Sequence, residues 1–132
     1  MSSVLIKNFT RRRTAPRAVF DSIAARVLPG WDISLAFVGP AKARALNKQL
    51  RKKDYIPNVL SYVVGAKSGE IIICPSEAIK QALLYRRAPS AYCLYLFIHA
   101  ALHIKGWVHG AKMEKCERKL LARYEKTHSD WN

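Results

Sequence analysis

Residues 91–104 read Ala-Tyr-Cys-Leu-Tyr-Leu-Phe-Ile-His-Ala-Ala-Leu-His-Ile, a run that is apolar nearly all the way round a helix. A helix with no polar face either crosses a membrane or sits at the centre of a fold. Crossing a bilayer takes ~20 apolar residues, and this run is shorter and holds two histidines. It is therefore expected to be a buried central helix. Ala88-Pro89-Ser90 provides its start, and Gly106 can end it as a C′ residue in the left-handed conformation.

The remaining elements must pack around that helix. Val4–Phe9 reads as a first strand. Thr14 offers an N-cap for a helix carrying Val19, Phe20, Ile23 and Val27, which Pro29-Gly30 stops. Ile33, Leu35 and Phe37 alternate with Ser34 and Ala36, the signature of a half-buried strand. Gly39-Pro40 opens a second helix running to about Arg51. Val59–Val64 and Glu70–Cys74 are β-rich runs joined by Gly65-Ala66-Lys67-Ser68-Gly69, close enough for an antiparallel pair. Pro75-Ser76 starts a helix to about Tyr85, and Ala111–Lys126 reads as a last helix burying Met113, Cys116, Leu120 and Tyr124. The order βαβαββααα implies an α+β fold: a small mixed four-stranded sheet packed with about five helices, in a single domain over residues 1–132.

Charge narrows the partners. Lys and Arg total 23 against 9 Asp and Glu, a net +14, with 12 of the 23 falling in residues 1–53 beside two acids. Such an excess favours a polyanion, nucleic acid ahead of a membrane surface, although charge runs often do no more than solvate a face. Cys74, Cys93 and Cys116 are too few and too scattered for a disulfide framework, and no C-x-x-C pair suggests a thiolate site. The apolar run Val4–Ile6 is too short for a signal peptide and is followed closely by Arg11–Arg13. A soluble, cytoplasmic protein is expected.

The chemistry concentrates in His99-Ala-Ala-Leu-His103-Ile-Lys-Gly106-Trp-Val-His109, an H-x3-H-x5-H spacing. Residues four apart share a helical face, and Gly106 lets the chain turn so that His109 can return to it. Three neutral imidazoles suit zinc or a similar late transition metal and leave a fourth position open for water, whose pKa falls toward ~7 on the ion. A lone histidine on an apolar face is usually a core residue. Here three of four histidines fall within eleven residues, and two unpaired imidazoles would be costly to bury. The fourth, His128, reads as solvated in a polar tail. Metzincin proteases share the spacing as H-E-x-x-H-x-x-G-x-x-H, but Ala100 stands where their general base would be, which demotes proteolysis. A metal site in a strongly basic protein fits phosphodiester hydrolysis better.

These residues resemble the YbeY rRNA-maturation endoribonucleases. Their signature H-G-x-L-H-L-x-G-Y-D-H is similar to His-Ala-Ala-Leu-His-Ile-Lys-Gly-Trp-Val-His over residues 99–109, and their L-N-x-x-Y-R-x-K-D-x-P-T-D-V-L-S-F block aligns without a gap on residues 46–62. The following G-D-I is similar to Gly69-Glu70-Ile71. The resemblance implies a zinc-dependent, single-strand-specific endoribonuclease acting in rRNA 3′-end maturation and ribosome quality control, with a central histidine-bearing helix. It implies one zinc ion per chain on His99, His103 and His109, and Arg51 as the functional arginine. Arg51, whose guanidinium fork suits phosphate, is thus expected to be catalytic and, with Lys52 and Lys53, to bind RNA. Val108 replaces the Asp beside the last ligand, Asn58 replaces the Asp of Pro-Thr-Asp, and Ala100 replaces Gly. Val108 and Asn58 favour an alternative, a non-catalytic ribosome-associated RNA-binding factor with a structural or residual metal site; a metal hydrolase acting on small phosphate esters or peptides is a third reading.

Overall fold

A computed structural model describes residues 3–125. The order is β1 (Ser3–Asn8), α1 (Arg17–Val27), β2 (Asp32–Phe37), α2 (Pro40–Arg51), β3 (Val59–Gly65), β4 (Ser68–Ile73), α3 (Pro75–Leu84), α4 (Pro89–Lys105) and α5 (Ala111–Glu125). The strands form one sheet in the order β1-β2-β4-β3. β1 and β4 run parallel to β2, which lies between them, while β3 lies antiparallel to β4 at the edge. This is the expected mixed α+β architecture. The hairpin turn is tighter than the five residues expected of it, because pairing continues to Gly65↔Ser68 past an irregularity between Val63 and Gly65.

Side chains on successive strand residues point to opposite faces, and the two faces bury different helices. Leu35, Phe37, Ile71 and Ile73 join Phe20 and Ile23 of α1 and Phe97 and Ile98 of α4 in the main core. Ile72 and Leu60 point the other way, into a smaller cluster with Ala43 and Leu46 of α2. In the main core Phe20 meets Phe97 edge-on at 5.0 Å, so α1 and α4 lock together over the sheet. α4 is the buried centre expected of its composition: Leu94, Phe97, Ile98, Ala100, Ala101 and Leu102 are all buried. At Gly69 a Cβ would lie 3.0 Å from Ile104 Cδ1, so the absence of a side chain on β4 lets the histidine-bearing end of α4 approach the sheet closely.

Prolines start the helices. Pro40, Pro75 and Pro89 each open one, where the missing N–H costs no intrahelical bond. Thr14 does not cap α1: its hydroxyl donates to the Ala15 carbonyl, and the extended Pro16 takes the capping position. The reason is local, since a residue before proline is pushed out of the helical region and the helix cannot begin ahead of Pro16. On α5 the buried stripe is Met113, Glu117, Leu120, Leu121 and Tyr124, and Cys116 is only partly buried. The expected stripe was thus one residue out at that turn. Lys126 and His128 lie outside the described residues.

Candidate metal centre

The centre is built by the last turns of α4, the bend after it and α5. His99 and His103, one turn apart, present their rings edge to face with centroids 4.5 Å apart. Gly106, at φ 106°, ends the helix: its N–H donates to the His103 carbonyl and the Trp107 N–H donates to Leu102. That pair of bonds is the Schellman arrangement, and it needs a residue free to adopt positive φ. The chain then turns, and the exposed His109 ring comes to 5.0 Å from His99 and 4.7 Å from His103. Lys112 Nζ, 5.5 Å from the centre of the Trp107 ring, braces the bend. One ligand atom from each of His99, His103 and His109 lies within 4.8 Å of the others, so the group could hold a metal ion.

Hydrogen bonds fix which nitrogens face inward. His103 Nδ1 lies 3.1 Å from the Trp107 carbonyl oxygen, which can only accept, so Nδ1 carries the proton. His99 Nδ1 donates in the same way to the Glu117 carboxylate. With Nδ1 committed on each ring, His99 and His103 turn their Nε2 atoms toward each other, 3.1 Å apart. A tetrahedral zinc shell with Zn–N bonds of ~2.05 Å separates its nitrogens by about 3.3 Å, close to the spacing already present. The residues fit such an ion. Burial, and then the neighbouring His99 ring, hold the His103 imidazole below its ordinary pKa against the Trp107 carbonyl, with His109 adding to the depression and Glu117 opposing it. That depression favours the neutral His103 imidazole, the form that binds metal.

Glu117 is the residue that sequence reasoning missed. It is only 4 % exposed, on the apolar stripe of α5, and orients His99 as carboxylates commonly orient metal-binding histidines. A glutamate at an apolar-stripe position was the available signal. Val108, the position where the resemblance expects an aspartate, is 79 % exposed.

The structure brings the three histidines together but does not join the basic run to them. Arg51 closes α2 and is exposed, with Nη1 donating to the Tyr55 hydroxyl at 3.2 Å. Lys52 follows in the left-handed conformation and Lys53 is exposed. Among the described residues no hydrogen bond or ion pair links Arg51, Lys52 or Lys53 to a histidine. Asn58 donates to Gln81, beside the Tyr92 hydroxyl that bonds the same oxygen. No helix among the described residues is long and apolar enough to cross a membrane.

Comparison with known proteins identifies the family. The profile of the family described as "Endoribonuclease YbeY" matches residues 6–130. The endoribonuclease YbeY of Azorhizobium caulinodans is 31% identical over 121 residues, covering 82% of this chain and 76% of that protein. The Aromatoleum aromaticum protein of the same name is 30% identical over 121 residues, covering 85% and 79%. That of Neisseria meningitidis serogroup B is 35% identical over 89 residues, covering 59% of this chain and about half, 53%, of its own length. A Thermotoga maritima protein of known solution structure has the same fold, with a TM-score of 0.67 at 17% identity over 96% of this chain and 91% of that one. The chain belongs to the endoribonuclease YbeY family.

Proposed function

We propose that residues 1–132 act as one metal-dependent, single-strand-specific endoribonuclease domain serving rRNA 3′-end maturation and ribosome quality control. The observation that carries this reading is the convergence of His99, His103 and His109, with both helical Nδ1 atoms already committed, in a chain whose relatives are named endoribonucleases. One zinc ion is the favoured occupant, since three imidazoles suit it and leave a position open. When bound, such an ion polarises a phosphoryl oxygen and lowers the pKa of water.

The chain's own residues do the rest. Glu117 holds the His99 ring in register and the Trp107 carbonyl holds that of His103, so neither ligand needs to reorganise. His109, exposed at the bend, completes the set. Arg51 spends one guanidinium donor on Tyr55, which leaves others for an RNA phosphate and for charge developing on it. Lys52 and Lys53 add the sequence-independent, salt-sensitive attraction to the backbone.

His103→Ala, compared with the unmodified protein on single-stranded and duplex RNA with and without added zinc, tests the proposal. Cleavage of the single strand alone, zinc-dependent and abolished in the variant while RNA affinity stays within about threefold, is the expected result. Undiminished cleavage by the variant would overturn it.

A further inference from the structure

Two cavities flank α4. One is closed by the arginine loop Arg11–Arg13; the other, of about 590 Å³, opens between α4 and α5 beside the metal centre. Tyr92, Tyr95 and His99 fall at i, i+3 and i+7 on α4 and so share a face. Glu114, Arg118 and Leu121 repeat a helical spacing on α5. Glu117 lines the second cavity and bonds His99, so that cavity adjoins the metal centre on the Nδ1 side of the His99 ring.

A line of rings runs from His99 to the open end of this cavity. By ring centres Tyr95 lies 5.8 Å from His99, Tyr92 5.5 Å from Tyr95, and Tyr85 6.1 Å from Tyr92. Tyr92 is buried, whereas Tyr85 is 67 % exposed and lies near-parallel to Tyr92, at 13°. One face of the Tyr85 ring is thus backed by Tyr92, and the other is open to a flat ring. The end of α3 sets it there. Arg86 adopts φ 54°, uncommon for a residue with a side chain, and the Arg87 N–H donates to the Ala82 carbonyl at 2.8 Å. That turn brings Tyr85 and Arg87 onto the same cavity. Arg87 and Arg118 line it as exposed cations, with no ion pair to either among the described residues. Glu114, in the first turn of α5, adds an exposed carboxylate.

An open stacking face, two unpaired guanidinium groups and a carboxylate are contacts that one nucleotide of a single strand can use together. A cationic partner would instead meet both arginines, and an apolar one all three charges. We infer that this cavity is a base subsite: a base stacks on Tyr85, Arg87 and Arg118 take the adjoining phosphates, and Glu114 accepts from the base's amino group. Cytosine offers its N4 amino group to such a carboxylate, whereas uracil carries an acceptor oxygen at that position and is repelled. The inference deepens the endoribonuclease reading and rests on it for RNA as the ligand. Within that reading Tyr85 and Glu114 are specificity-determining residues set apart from the metal.

The test is fluorescence anisotropy of the full chain with labelled oligocytidylate and oligouridylate of about twelve nucleotides, RNA integrity being checked after each titration. Oligocytidylate should bind at least about fivefold tighter than oligouridylate. Glu114→Gln, whose amide can serve either base, should bring the two within about twofold. Tyr85→Ala should lose about tenfold in affinity for oligocytidylate, and since Tyr85 is exposed its replacement leaves the core intact. Tyr85→Phe, which keeps the ring, and Leu84→Ala, at an exposed neighbour outside the cavity, should each stay within about threefold. Undiminished affinity in Tyr85→Ala, an equal loss in Leu84→Ala, or a cytosine preference that is absent or survives Glu114→Gln would overturn the assignment. Because the readout is binding, its failure leaves His103-dependent cleavage standing, and failure of cleavage leaves the binding pattern standing.

Discussion

Removing the Glu117 charge separates what this carboxylate does for the metal from what it does for the fold. Glu117 is 4 % exposed and its carboxylate accepts the Nδ1 proton of His99. In Glu117→Gln the amide oxygen can still accept that proton, but the negative charge that raises ligand basicity is gone. In Glu117→Leu both go. Losing such a carboxylate typically weakens a metal site about 10–100-fold, so Gln should sit near the lower end and Leu near the upper. With free zinc at about 100 times the wild-type Kd, binding contributes about 2.7 kcal/mol to stability; tenfold weaker binding leaves about 1.4, and hundredfold about 0.4. The metal-free protein should respond the other way. A buried carboxylate is costly without a full positive partner, so Glu117→Gln should be neutral or slightly stabilising there. Chelator-competition titration gives the Kd, and urea unfolding with and without zinc gives both stabilities. Unchanged zinc affinity in both variants would refute the orienting role. Equal destabilisation with and without zinc would show that Glu117 serves packing alone.

Three further outcomes follow from particular contacts. Gly106→Ala introduces a side chain at φ 106°, with no neighbouring atom within 4 Å of its Cβ, so the cost is conformational, about 1–2 kcal/mol by urea unfolding, and zinc affinity should fall as the His109 turn loosens. Full stability in that variant would mean the bend does not need its left-handed residue. Phe97→Ala deletes a fully buried ring packed edge-on against Phe20 and should cost ~3–5 kcal/mol; a loss under about 1 kcal/mol would show that α1 and α4 collapse into the gap. Because burial disfavours the Cys93 thiolate, raising the thiol pKa to about 11, its alkylation by iodoacetamide at pH 8 should run about a hundredfold below that of a thiol of pKa 9 and climb as pH rises toward 11. A rate matching a free thiol, read by peptide mass spectrometry, would contradict that burial.

The linear order of residues determined the central element, the strand–helix succession and the three histidines, because each is a local pattern. An all-round apolar run has one place to go, alternation along β2 marks a half-buried strand, and i, i+4 spacing stacks His99 on His103 whatever surrounds them. Gly106 was legible too, since left-handed helix ends favour glycine. Tertiary structure decided what joins residues far apart in the chain. Glu117 reaches His99 across 18 positions because α5 packs against α4, and nothing near either residue announces that pairing. The same holds for the arginine loop, which closes a cavity only once β1, β2 and α4 bring Arg12, Phe37 and Cys93 together. Arg51 shows the converse. Its place in a motif is read from neighbours in sequence, but the seat of its helix follows from Ala43 and Leu46 packing with Ile72 and Leu60. Local pattern fixes what a segment forms, whereas the burial of faces against one another fixes which side chains meet.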